Sequence, residues 1–213
     1  MSRFDLVIFD CDGVLVDSER LAVRTESQIL TELGWPLTEA DVIERFVGRS
    51  ARYMHTVIEE KIGRPVNWQV EFELRVREVC ERELVPVEGV LAVLDSVTVP
   101  SCVASSSSHA MLSFKLGLTG LADRFAGRIF SADDVPHGKP DPAVFLFAAA
   151  AMGAAPDRCA VIEDSVSGVE AGVAAGMTVF AYSGGVTSAA ELDRADVVLF
   201  DSMHLLADLL SSG

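Results

Sequence analysis

Four short stretches of this 213-residue chain carry side chains able to do polar chemistry together: Asp10-Cys11-Asp12-Gly13, Ser105 to Ser108, His137-Gly138-Lys139-Pro140 and Glu163-Asp164-Ser165. Carboxylates crowded together repel unless a cation joins them, and an all-oxygen set suits a hard ion such as Mg2+. Such an ion, together with Lys139, would neutralise a phosphoryl group while a carboxylate attacks the phosphorus. Asp10 is the better nucleophile candidate, because it ends an apolar run that would fix its position. Asp12 could reach the leaving oxygen as general acid and later deprotonate a water. Gly13 would let the backbone turn away and free nearby amides for phosphoryl oxygens. Each stretch alone has an ordinary reading. Asp-Gly closes turns, serine runs make flexible loops, lysines are solvated, and Glu-Asp-Ser can cap a helix.

The elements that must position these residues supply the missing weight. Phe4 to Phe9 is a short apolar run with β-branched residues, which predicts a buried strand ending at Asp10. Apolar residues then recur at helical spacing over 19–34, a side-chain cap opens a helix at Thr38, and two more helices are predicted over 51–62 and 68–84. Four helices without a strand predict a small helical bundle. Beyond Pro86 strands are predicted at 99–104, 128–130, 158–162, 177–181 and 196–200, with helices at 108–117, 141–152, 166–175 and 204–210. Strand and helix in alternation predict an α/β fold, a doubly wound parallel (Rossmann-like) sheet covered on both faces. The expected domains are residues 1–18 with 86–213 as the α/β core, and 19–85 as an inserted four-helix cap. Ligands of such sheets bind at the carboxyl ends of the strands, where all four stretches fall.

Charge narrows the partners. The chain has 17 basic and 32 acidic residues, a formal charge of −15. Residues 19–85 hold 10 basic against 13 acidic, so the remainder carries most of the excess. Such a surface disfavours nucleic acid and anionic lipid, and no apolar run approaches the roughly 20 residues of a membrane span. Cys11, Cys80, Cys102 and Cys159 lack CxxC spacing and read as buried thiols of a reducing compartment. The four histidines form no zinc pattern. Acidic residues follow Met1 too soon for a signal peptide, so a soluble cytoplasmic protein, monomer or weak dimer, is expected.

The segment Asp10-Cys11-Asp12-Gly13-Val14-Leu15-Val16-Asp17-Ser18-Glu19 resembles the signature of the haloacid dehalogenase-like hydrolase superfamily, in its branch with a helical cap after the first strand. Asp10 and Asp12, Ser105, Lys139-Pro140 and Glu163-Asp164-Ser165 are similar to its four motifs in order. The resemblance implies a phosphatase in which Asp10 becomes an aspartyl-phosphate and Asp12 is acid and base. It implies Mg2+ held by Asp10, the Asp12 carbonyl and Asp164, with Glu163 a further ligand. Ser105, with Ser106, and Lys139 would bind the phosphoryl group of a small phosphorylated metabolite, a sugar phosphate or phospho-acid.

Related chemistries fit less well. Haloacid dehalogenases lack the second aspartate, and phosphonate hydrolases replace it and use a cap lysine. A sugar phosphomutase of the beta-phosphoglucomutase type is the closest alternative. Its histidine and aromatic in the first cap helix are Ala22 and Glu26 here, and its cap arginine aligns with neither Arg49 nor Arg52. A receiver-like phospho-acceptor domain is the alternative of another class, but it needs only about 120 residues and has no such insertion. Arg49, Ser50 and Arg52, with Arg20 and Arg24, are the cap candidates for substrate contact.

Overall fold

The structure is a computed structural model and describes residues 3–49 and 51–211. The chain folds as two units, Met1–Asp17 with Val85–Gly213, and Ser18–Leu84.

The first unit is built on six parallel strands: β1 (Leu6–Phe9), β2 (Ser101–Ser105), β3 (Ile129–Ser131), β4 (Cys159–Glu163), β5 (Thr178–Tyr182) and β6 (Val197–Phe200). Their order across the sheet is β3-β2-β1-β4-β5-β6, so the chain winds outward in both directions from β1. Every residue of β1 and β4 is buried, which is why these segments read as unbroken apolar runs rather than alternating ones. Phe9 is level with Val103 of β2 and Ile162 of β4, and the Asp10 amide donates to the Ile162 carbonyl at 3.0 Å. This register sets Asp10 beside the last residues of two neighbouring strands.

Helices α6 (His109–Leu118), α7 (Ala143–Ala151) and α8 (Val166–Ala174) follow β2, β3 and β4. Ser108 caps α6 and Ser165 caps α8, each side chain accepting from the backbone N–H three residues on. A core of Leu6, Ile8, Cys102, Phe145, Val161 and Val179 lies between sheet and helices. Sequence patterning missed two short helices of this unit, α5 (Val90–Ser96) and α9 (Ala189–Leu192). Both are under two and a half turns, too short to show a helical period. The last helix, α10, spans Met203–Ser211. All four cysteines are buried thiols outside any disulfide, three in this unit and Cys80 in the other.

The second unit is four helices, α1 (Ser18–Glu32), α2 (Glu39–Phe46), α3 (Ala51–Ile62) and α4 (Trp68–Glu83). Thr38 begins α2 with a capping box, its hydroxyl accepting from the Asp41 amide while the Asp41 carboxylate receives the Thr38 N–H. Arg75 ties α4 to α1, donating to both oxygens of Glu32 at 2.8 and 2.7 Å and to Glu71 at 2.6 Å. Trp35 stacks edge-on against Phe46, with ring centroids 6.0 Å apart. Among the described residues no helix is long and apolar enough to cross a membrane.

Candidate active site

Asp10 follows β1 directly and is nearly closed off from solvent, with 6 % of its surface exposed. Its Oδ1 receives the Lys139 ammonium at 2.6 Å. Lys139 enters from the loop between β3 and α7, and its Nζ also donates to Glu163 Oε1 at 2.6 Å and to the Ala104 carbonyl at 3.1 Å. One buried cation thus joins the ends of β1, β2 and β4. Burial pushes the Asp10 carboxyl up, Lys139 pulls it back, and the Glu163 and Asp12 carboxylates push it up again, leaving it at about 7. Burial alone would lower the Lys139 proton affinity, but Asp10 and Glu163 outweigh it and hold the ammonium above the usual lysine range.

Glu163 is 1 % exposed and both its oxygens are engaged. Oε1 takes Lys139, while Oε2 accepts from the Asp164 amide, the Ser165 amide and the Ser165 hydroxyl, each at 2.9 Å. A β-carbon on Gly168 would stand 1.7 Å from Oε1, so α8 begins hard against this carboxylate. Glu163 thus joins Lys139 to the turn into α8.

The four serines of the β2–α6 loop differ in what they do. Ser105 is buried and its Oγ accepts from the Ser107 amide at 3.2 Å. Ser106, paired with Ser105 in the sequence expectation, is exposed, and none of the described contacts brings its side chain to the cluster. Ser107 donates to Asp12 Oδ2 at 2.7 Å, and Ser108 caps α6. The other Asp12 oxygen, Oδ1, receives Lys115 from α6. Ser107 and Lys115 were missed from sequence; Ser107 lies past the end of β2, where strand alternation gives no guide, but Lys115 left a signal. Lys115 falls three residues after buried Leu112 and directly before buried Leu116, the face of α6 that must turn inward.

A Mg2+ ion fits these residues. Asp10, Asp12 and Glu163 pair with two ammonium groups, Lys115 and Lys139, and Asp164 lies against Gly13, so the four carboxylates exceed the two cations by two formal charges that one such ion would balance. Asp164 is 4 % exposed, and its carboxylate occupies the space that a β-carbon on Gly13 would fill. Among the described residues no three Asp, Glu, His or Cys side chains are grouped so as to hold a metal ion by themselves.

The second unit holds a cavity of about 300 Å³ whose wall includes Glu19, Ala22, Glu26, Arg49, Trp68 and Phe72. Burial, then the Glu19 carboxylate, push Glu26 up to about 8. Arg49 is exposed and lies over the Tyr53 ring at 6.0 Å. Arg52 is exposed and does not line the cavity, while Arg24 is taken by Glu83 at 2.6 Å. Ser50 lies outside the described residues.

The haloacid dehalogenase-like hydrolase family matches residues 4–176. The 6-phosphogluconate phosphatase of Escherichia coli K12 is 32% identical over 185 residues, covering 85% of this chain and 84% of that protein. Two solved structures align over nearly everything. A conserved haloacid dehalogenase-like protein of Agrobacterium tumefaciens C58 shares 36% identity at a TM-score of 0.91, covering 98% of each chain. A haloacid dehalogenase-family hydrolase of Deinococcus radiodurans R1, solved with phosphate and sodium bound, shares 30% identity at a TM-score of 0.83, covering 100% of this chain and 99% of that one. With its doubly wound sheet, its Asp10–Lys139–Glu163 centre and this match, the chain belongs to the haloacid dehalogenase-like hydrolase family.

Proposed function

We propose that the chain is a magnesium-dependent phosphatase that hydrolyses a small phosphorylated metabolite, a sugar phosphate or phospho-acid, through an aspartyl-phosphate on Asp10. The observation that carries the reading is the buried Asp10–Lys139–Glu163 centre with Asp12 beside it. Resemblance to a 6-phosphogluconate phosphatase supports the substrate class.

In the first step an Asp10 oxygen attacks phosphorus and the bond to the leaving oxygen breaks, while Asp12 gives that oxygen its proton. In the second a water loses its proton to Asp12 and attacks the phosphorus, releasing phosphate and restoring the Asp10 carboxylate. Lys139 draws the Asp10 carboxyl back towards its ionised form and, with Ser105, would bind the phosphoryl oxygens. Asp10, the Asp12 carbonyl and Asp164 would hold Mg2+, which neutralises phosphoryl charge when bound.

A phosphatase is favoured over a phosphomutase by the cap cavity. A mutase must hold a second phosphate. This wall carries three carboxyl groups, Glu19, Glu26 and Glu73, against one arginine, Arg49. It also includes both positions, Ala22 and Glu26, at which the chain departs from the mutase pattern. The expected result is Mg2+-dependent release of phosphate from p-nitrophenyl phosphate, with a panel of phosphorylated metabolites ranking substrates by kcat/KM. Turnover of a sugar phosphate into its positional isomer without phosphate release would overturn the reading in favour of a mutase.

A further inference from the structure

Lys115 is one of three lysines in the chain and is 8 % exposed, on a helix whose other inward residues, Leu112 and Leu116, are fully buried. A lysine is rarely so buried unless it has a partner, since its ammonium loses hydration. Here the partner is the carboxylate of Asp12. Lys115 Nζ donates to Oδ1, and the Ser107 hydroxyl donates to Oδ2 at 2.7 Å. The two contacts come from different elements, the sixth helix and the loop before it, and each grips a different oxygen. A carboxylate held at both oxygens by donors in different directions cannot rotate about its final torsion without losing a bond. The loop arm is itself anchored, because the Ser107 carbonyl accepts from Ser131 Oγ at 2.7 Å and the Ser107 amide donates to Ser105 Oγ.

We infer that Lys115, with Ser107 as its second arm, is the positioning residue that aims the Asp12 carboxyl for proton transfer. Lys115 does not touch the reacting atoms in this scheme and acts through Asp12. The inference rests on Asp12 being the acid and base, so its test must separate the two ideas.

The test is a double-mutant cycle on two substrates, an alkyl phosphate whose leaving group needs a proton and p-nitrophenyl phosphate whose leaving group does not. Lys115→Met should lower kcat on the alkyl phosphate by roughly 10- to 100-fold, part of the usual worth of an acid–base group. The loss should be several-fold smaller on p-nitrophenyl phosphate, with KM for both substrates changed by less than about threefold. Adding Lys115→Met to Asp12→Asn should cost nothing further, because a residue acting only through Asp12 has nothing left to position. Ser107→Ala should repeat the pattern at smaller size. If Lys115→Met does not fold, Lys115→Gln keeps a donor without the charge and is run through the same cycle. Equal losses on both substrates, or losses that multiply with those of Asp12→Asn, would mean that Lys115 only supports the fold and would overturn the inference. A costly Asp12→Asn with a silent Lys115→Met would also overturn it. A silent Asp12→Asn would instead sink the acid–base assignment beneath it.

Discussion

The carboxylate of Asp164 occupies the place where any side chain on Gly13 would begin: an added β-carbon would stand 1.8 Å from its Oδ2. Gly13 also has a φ of +73°, which L side chains rarely adopt. Gly13→Ala should therefore push Asp164 aside, raise the Mg2+ concentration for half-maximal activity and cut kcat at least ~100-fold, the cost of a misplacement near 1 Å. The strain should remove about 1–3 kcal/mol of stability. Activation by Mg2+ measured beside urea unfolding checks both, and wild-type Mg2+ affinity in the variant would contradict the reading of Asp164 as a ligand.

Asp10→Asn should leave less than about one per cent of activity, because the amide cannot attack phosphorus, a loss in the range seen when a nucleophile is removed. Residual turnover of several per cent, measured with contaminating phosphatase excluded, would rule out covalent catalysis through Asp10.

Lys139→Met should be the more damaging change to stability. The ammonium lies between Asp10 and Glu163 with 2 % of its side chain exposed, so its removal strands two buried carboxylates. The expected loss is about 3–5 kcal/mol at neutral pH, read from urea midpoints. Adding Glu163→Gln to Lys139→Met should recover part of it, since one stranded charge is then gone.

Chelation should silence the wild type, and added Mg2+ should restore it. Asp164→Asn should keep the fold and need at least roughly tenfold more Mg2+ for half-maximal rate, as one anionic ligand is lost. Full activity in chelator would point to metal-free chemistry.

Glu26 gives a prediction in pH. Its ordinary value is 4.5, and in the fold it is raised to about 8, so the folded state binds this proton more tightly than the unfolded chain does. Below about 4.5 both states hold the proton and the stabilisation is fully present; it is lost as pH rises from there through 8. Glu26→Gln should therefore match the wild type near pH 4.5 and be more stable above neutrality, by ~1–4 kcal/mol at pH 8. Melting temperatures of the pair across pH 4.5–9 check it, and a gap that stays constant or narrows with pH would be the contrary result.

Much of the fold was legible because it rests on strands buried on both faces. Leu6–Phe9 and Cys159–Glu163 are fully buried and read as apolar runs, and the residues that end them, Asp10 and Glu163-Asp164, stood out as polar against that background. Lys139 stood out for a similar reason, as a rare lysine in a proline-rich loop. The hidden part of the site depends on orientation rather than on residue type. Nothing in a run of four serines says which hydroxyl faces Asp12. The answer comes from the direction in which β2 ends and α6 begins. Lys115 was not singled out, and only the inward face of α6, shared with Leu112 and Leu116, brings it to Asp12. The engagement of both Glu163 oxygens was equally out of reach, since three of its donors are local groups brought round by the turn into α8.

The four buried cysteines make the folded protein nearly silent to thiol reagents. Burial pushes the Cys102 thiol up to about 12 and Cys159 up to about 11, and it raises Cys11 well above the usual range. Only chains that have opened will react, because the thiolate is the nucleophile. Cys80 is the sole thiol of Ser18–Leu84, whereas Cys11, Cys102 and Cys159 belong to the other unit. Pulsed alkylation followed by peptide mass mapping would thus time the opening of each half of the molecule separately, with no label introduced. The same silence leaves an engineered surface cysteine as the one position a maleimide dye would mark on the native enzyme.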